Sequence, residues 1–177
     1  MTASLETQIK QHARQLGFAL AGVTTPEPPP HLPAFTNWLE MGRYGSMAYL
    51  ADERARARRA DPRLILPECQ SILILAYRYA PPAPQTKPGR IAAYAQTDDY
   101  HLTLPPKLEA LVKFIENRVG RPIPNRWYTD TGPILERDLA MRAGLGWIGK
   151  NTLLINPKIR SYFLLAEIRN KRKEDAL

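Results

Sequence analysis

The residues best suited to chemistry lie between Arg126 and Asn151. Asp130 stands in Arg126-Trp-Tyr-Thr-Asp-Thr131, a stretch with strand character that runs into a turn at Gly132-Pro133. That puts a carboxyl at the C-terminal end of a strand, the rim where α/β proteins hold ligands. Flanked by Trp127, Tyr128 and a glycine turn, it would be partly desolvated, which raises a carboxyl's pKa and suits a proton donor. The alternative is an Asp that caps a helix starting near Pro133. Spacing alone favours the cap.

Further along, Gly144-Leu-Gly-Trp-Ile-Gly-Lys-Asn151 places three glycines before a lysine. Phosphate-cradling loops have glycines that open a helix, whereas these follow one, and the Walker spacing is missing. A helix C-cap and a tight turn into the next strand is the simpler reading, although such glycines also let a flat ligand approach the backbone. The three histidines, His12, His31 and His101, are too scattered to form a metal triad. His12 is expected on a solvated helix face, and His101 as a packed or surface residue rather than a site residue. Cys69 precedes a strand with no partner at ligand spacing and should be a buried small hydrophobe. The arginines between 54 and 63 form either a solvated helix face or a phosphate contact, with charge alone favouring the former.

These residues need a scaffold. Helical periodicity covers Ser4–Leu16, through Leu5, Ile9, Ala13 and Leu16, and Gly17 suits its end. Phe18–Val23 has the character of a short buried strand. A proline loop fills 26–33, a short helix carries Phe35, Trp38 and Leu39, and a charged helix spans Met47–Arg59. Ser71–Tyr77 is a continuous apolar strand, so both its faces should be covered. A second proline loop at 80–90 precedes a helix over Pro106–Val119. A helix over Ile134–Ala143 and closing strands over Trp147–Ile155 and Ser161–Ile168 complete an α/β pattern. The last strand runs directly into a charged stretch, which predicts an unpaired edge or an uncovered face.

Composition sets the outer bounds. The chain has 177 residues, 44% of them hydrophobic, which suffices for one domain with a real core. A single cysteine excludes a disulfide framework and any zinc or iron–sulfur site built from this chain's thiolates alone. No apolar run approaches the roughly 18 residues of a membrane span. The N-terminal stretch is polar and amphipathic rather than a secretory signal, so the expected compartment is the cytoplasm. The formal charge of +8 favours polyanionic partners without naming one.

Taken together, Tyr128-Thr-Asp-Thr-Gly-Pro-Ile-Leu-Glu-Arg-Asp-Leu-Ala140, Arg142-Ala-Gly-Leu-Gly-Trp-Ile-Gly-Lys-Asn151 and Ser161-Tyr-Phe-Leu-Leu-Ala-Glu167 resemble epoxyqueuosine reductase. Arg59-Ala-Asp-Pro62, Leu66-Pro67 and Asp99-Tyr-His101 agree with it in order, so the resemblance covers about residues 1–168. It implies a nitroreductase-like α/β fold, a mixed sheet flanked by helices and incomplete at the C-terminus. It also implies a cytoplasmic enzyme that reduces epoxyqueuosine at the tRNA wobble position to queuosine, using cobalamin and two [4Fe–4S] clusters. By the same resemblance Asp130 matches the proton donor, which reverses the preference for a cap. Arg59, Asp130, Leu154 and Leu165 match cobalamin contacts, and Lys150 and Asn151 lie near the same rim. No residue is expected to ligate a metal.

The family continues into cysteine-rich cluster segments, and this sequence contains only Cys69. The expectation is therefore a cobalamin-side catalytic domain at 1–168 with a charged, disordered tail at 169–177, truncated before the iron–sulfur module. Such a chain would be nearly inactive alone. Its clusters would come from a separate iron–sulfur polypeptide or another electron donor, and tRNA would be its partner, with no membrane involved. The alternatives are a non-catalytic cobalamin- or tRNA-binding remnant and a poorly folded fragment.

Overall fold

A computed structural model describes residues 3–79 and 91–171. Helix α1 (Leu5–Gln15) starts beneath Ser4, whose hydroxyl accepts the Thr7 amide, and Gly17 at φ 94° turns the chain into strand β1 (Phe18–Thr24). Helices α2 (Leu32–Glu40) and α3 (Glu53–Ala60) lead to β2 (Ser71–Arg78). Helix α4 (Tyr100–Val119), strand β3 (Asn125–Tyr128) and helix α5 (Glu136–Arg142) follow. The two-residue strands β4 (Trp147–Ile148) and β5 (Leu154–Ile155) pair with each other, and β6 (Phe163–Asn170) closes the main sheet.

That sheet has the order β1-β2-β6-β3. Alternation along β2 builds two cores. Leu73 and Leu75 face α1 and α4 together with Leu104, Leu108 and Leu111. Ile72, Ile74 and Ala76 face α5 and the β4–β5 ribbon together with Leu139, Leu145 and Leu154. Both faces are covered, as the unbroken apolar run requires, and each fully buried Leu or Ile stabilises the fold by about 1.5–3 kcal/mol. Helices thus flank a sheet, as the α/β pattern predicted. All described pairings are antiparallel, where the resemblance implied a mixed sheet.

Several elements differ from the sequence expectations. Helix α4 begins at Tyr100, well before Pro106, because the Asp99 carboxylate caps it by accepting the His101 amide at 2.9 Å. Pro105 and Pro106 are accommodated inside it, at the cost of amides that would have bonded the preceding turn. The charged helix is split, since the Asp52 side chain accepts the Ala55 amide at 2.8 Å and starts a new helix at Glu53. The single strand expected over Trp147–Ile155 is two short ones, with a turn closed by the Gly149 amide on the Leu153 carbonyl. Strand β6 is interior, paired with β2 on one side and β3 on the other, so the predicted unpaired edge does not exist there. It also runs two residues into the expected tail, where Arg169 and Asn170 are buried. The rest of the tail, 172–177, and the loop at 80–90 lie outside the described residues. Among the described residues no helix is long and apolar enough to cross a membrane.

Candidate functional site

Strand β3 delivers Asp130 to a turn in which its own backbone is left-handed, at φ 61°. Asn and Asp enter that region more readily than other non-glycine residues. Two contacts hold it there. The Tyr100 hydroxyl, from the first turn of α4, donates to Asp130 Oδ2 at 2.8 Å. The Asp130 amide donates to Glu136 Oε1 at 3.1 Å. Helix α5 begins at Glu136, its N-cap is Leu135, and it receives no side-chain cap. Asp130 therefore caps nothing, and the capping alternative falls. The residue is also exposed, where the sequence pattern predicted partial desolvation.

The sheltered acids lie behind it. Burial pushes the Glu136 carboxyl up to about 7, with the Asp130 amide opposing that rise and the Asp130 charge adding to it. Deeper still, Glu167 and Arg169 of β6 are fully buried, with Arg169 Nη2 3.8 Å from Glu167 Oε1. Burial raises the Glu167 carboxyl well above the usual range, and the Glu136 charge raises it further. Neither Glu167 oxygen has a hydrogen-bond partner. Arg169 donates through Nη1 to the Pro62 carbonyl at 2.8 Å, which fastens the turn after α3 to the sheet.

Two cavities share Asp130, Glu136 and Arg137 as a common wall. The smaller, of about 380 Å³, is walled by Leu154, Leu165 and the tyrosines Tyr79, Tyr94 and Tyr100. The larger, of about 1220 Å³, is walled by Arg59, Phe35, Trp38 and the Gly132-Pro133 turn. Leu154 and Leu165 thus share one cavity with Asp130, and Arg59 shares the other. Lys150 and Asn151 wall neither and are exposed, and Asn151 Oδ1 instead accepts the Leu153 amide at 3.2 Å. The glycine segment is the C-cap and turn that the simpler reading expected. Gly144 has φ 76°, and a Cβ at Gly146 would lie 2.1 Å from the Ile155 carbonyl oxygen.

Arg59 separates from its neighbours. Arg54 and Arg56 are exposed, as a solvated face predicts, while Arg59 is 7% exposed and its guanidinium carbon sits 5.3 Å from the centre of the Phe35 ring. Its Nη1 is buried without a hydrogen-bond partner. A buried donor left open at a cavity wall fits a ligand rich in carbonyl or phosphate oxygens, such as the amide-fringed corrin of cobalamin.

Sequence spacing missed Tyr100, Glu136 and the pair His31–Asp138. Asp138, 2% exposed on α5, takes the His31 amide at 3.1 Å and His31 Nδ1 at 2.5 Å, tying the proline loop to the wall of the larger cavity. These partners lie 30 and 107 residues apart in the chain, beyond any local pattern. Cys69 is buried and donates to the Ser71 carbonyl, as a small core residue does, while His12 stacks on Phe114 with ring centres 4.1 Å apart.

The family model described as epoxyqueuosine reductase QueG, DUF1730, matches residues 59–131. The epoxyqueuosine reductase of Leadbetterella byssophila is 34% identical over 163 residues, 91% of this chain and 53% of its own length. That of Vibrio cholerae is 37% identical over 171 residues, 93% of this chain and 46% of its own. The chain is homologous to the epoxyqueuosine reductases. It spans about half the length of the curated relatives it matches. The structure of epoxyqueuosine reductase from Streptococcus thermophilus superposes with a TM-score of 0.80 at 28% identity, covering 97% of this chain and 47% of that one. An epoxyqueuosine reductase bound to a tRNA-Tyr epoxyqueuosine-modified stem loop gives 0.74 at 26% identity, covering 94% and 45%. A reductive dehalogenase, whose structure suggests a mechanism for B12-dependent dehalogenation, shares the fold at a TM-score of 0.59 and 17% identity, covering 97% and 20%.

Proposed function

We propose that this chain is the cobalamin-side part of an epoxyqueuosine reductase, and that Asp130 supplies a proton to the epoxide oxygen as it leaves. Converting an epoxide to an alkene and water takes two electrons and two protons. Cobalamin, when bound, supplies the reduced cobalt centre from which the electrons come. The chain's own residues bind, orient and protonate. Arg59 offers its open Nη1 to the cofactor's oxygen-rich periphery, and Leu154 and Leu165 give the apolar contact. Asp130 stands between the two groups of contacts, and its place on the wall common to both cavities is the observation that carries this reading. The Tyr100 hydroxyl donates to Oδ2 and so orients the carboxyl, leaving Oδ1 to carry the proton that the substrate would take.

The substrate nucleoside would belong to a tRNA. The formal charge of +8 and the exposed Arg54 and Arg56, on the helix that carries Arg59, suit a phosphate backbone. The relative bound to a modified tRNA stem loop supports the same partner. With Cys69 as its only cysteine, the chain cannot ligate a [4Fe–4S] cluster by itself, so steady turnover needs electrons from another source. That single cysteine also favours a second reading, in which the chain binds cobalamin or tRNA without turning over.

A cobalamin titration followed by the cobalt absorption bands tests the proposal, with an epoxyqueuosine stem loop and a chemical reductant then added. Saturable binding, and alkene formation that Asp130→Asn abolishes, support it. Saturable binding with no product under any reductant leaves the second reading. No cobalamin binding at all refutes both cofactor-based readings.

A further inference from the structure

We propose that Glu136 is the positioning residue for Asp130: from the first turn of α5 it accepts the Asp130 amide, and so holds the turn that presents the Asp130 carboxyl to both cavities. Three observations converge on this role. The contact spans six residues around a bend, so it fixes the loop's closure rather than a regular repeat. The residue being fixed has a left-handed backbone, at φ 61°, which needs support from its surroundings. The second hold on Asp130 comes from a different helix, through the Tyr100 hydroxyl on Oδ2, so amide and carboxylate are clamped from opposite ends.

The clamp depends on charge. As a carboxylate, Glu136 is a strong, charge-assisted acceptor for the amide. Protonated, it is a weaker one, and the turn loosens. The groups facing Glu136 set that balance. Asp130 on the turn and Glu167 on β6 oppose its ionisation, while Arg137 on its own helix and Arg169 on β6 favour it, and Arg59 of α3 shares the larger cavity's wall. Burial dominates and moves the transition to about 7, so the clamp changes strength near neutral pH.

That the clamp serves proton delivery rests on the proposed role of Asp130; the clamp itself does not. The test is therefore spectroscopic. In the ¹⁵N-labelled chain, the Asp130 amide resonance is followed from pH 5.5 to 8.5. The expected result is a sigmoidal shift with a midpoint near 7, well above the range of ordinary carboxylates. Glu136→Gln keeps an acceptor oxygen but cannot titrate, so the shift should vanish. Asp130→Asn should retain it. A flat amide in the unmodified chain overturns the proposal without any variant, and so does a titration that survives Glu136→Gln. Failure of cobalamin to bind while the amide still titrates would refute the proposed function and leave the clamp standing.

Discussion

The hydroxyl of Tyr100 donates to Oδ2 of Asp130 at 2.8 Å, joining the first turn of α4 to the end of β3. Burial, and then the bond to Asp130, keep the phenol protonated far above its ordinary range, so the direction of donation does not change with pH in any working range. Tyr100→Phe removes the donor and leaves the ring. Lost orientation of a reacting group costs on the order of a hundredfold in rate, while the lost hydrogen bond costs the fold only about 1 kcal/mol. The expected outcome is a large fall in single-turnover rate with cobalamin affinity nearly unchanged. Equal losses in both would make Tyr100 a binding residue instead.

Asp130→Asn should separate chemistry from folding. Asn tolerates the left-handed backbone as Asp does, so thermal stability should hold. Asp130→Ala places a less tolerant residue at φ 61° and should lose about 1 kcal/mol. Both variants should lose about two to four orders of magnitude in rate, the usual contribution of a positioned general acid. Chemical denaturation and single-turnover kinetics on the same samples check this. An Asn variant that unfolds would show that Asp130 has a structural duty.

The sequence made the central strand legible because Ser71–Tyr77 is apolar throughout, and only a strand covered on both faces uses such a run. Asp130 drew attention because it follows a strand beside a Gly-Pro turn, but its exposure was misjudged. The sheltered carboxyl is Glu136, and that shelter comes from α5 packing against β6, which no local pattern encodes. The place of β6 was misread for a related reason. A strand followed by charges suggests an edge, yet Arg169 is fully buried in a strand paired on both sides, where it donates to the Pro62 carbonyl. Tyr100 and His31 gain their roles from partners in distant elements. Long-range pairing was invisible where periodicity was not.

Arg59→Met should improve the apoprotein and impair the ligand site. Leaving a buried donor unpaired costs about 1–3 kcal/mol, whereas the contact with the Phe35 ring returns about 0.5–1 kcal/mol. Removing both therefore gives a small net gain in stability, read by urea denaturation. Cobalamin affinity should fall by at least tenfold if Nη1 meets the cofactor. Unchanged affinity would remove Arg59 from the binding site.

Stability should fall as pH rises from the acid side toward neutrality, and Glu136 gives the window. Its carboxyl titrates near 4.5 when unfolded and at about 7 in the fold, so between those values the native state holds a proton that the unfolded chain has released. Native stability is then greatest below the lower value and declines through the interval, by up to about 1.4 kcal/mol per pH unit for one proton. Glu167 shifts in the same direction, through burial first, and adds to the decline. Glu136→Gln removes the ionisation and leaves an acceptor for the Asp130 amide, so its denaturation midpoint should vary less than that of the unmodified chain between pH 5 and 7. Midpoints that rise over this interval in the unmodified chain would show that Glu136 is ionised at its ordinary pKa, and that the interior behind Asp130 is wetter than the packing of α5 on β6 implies.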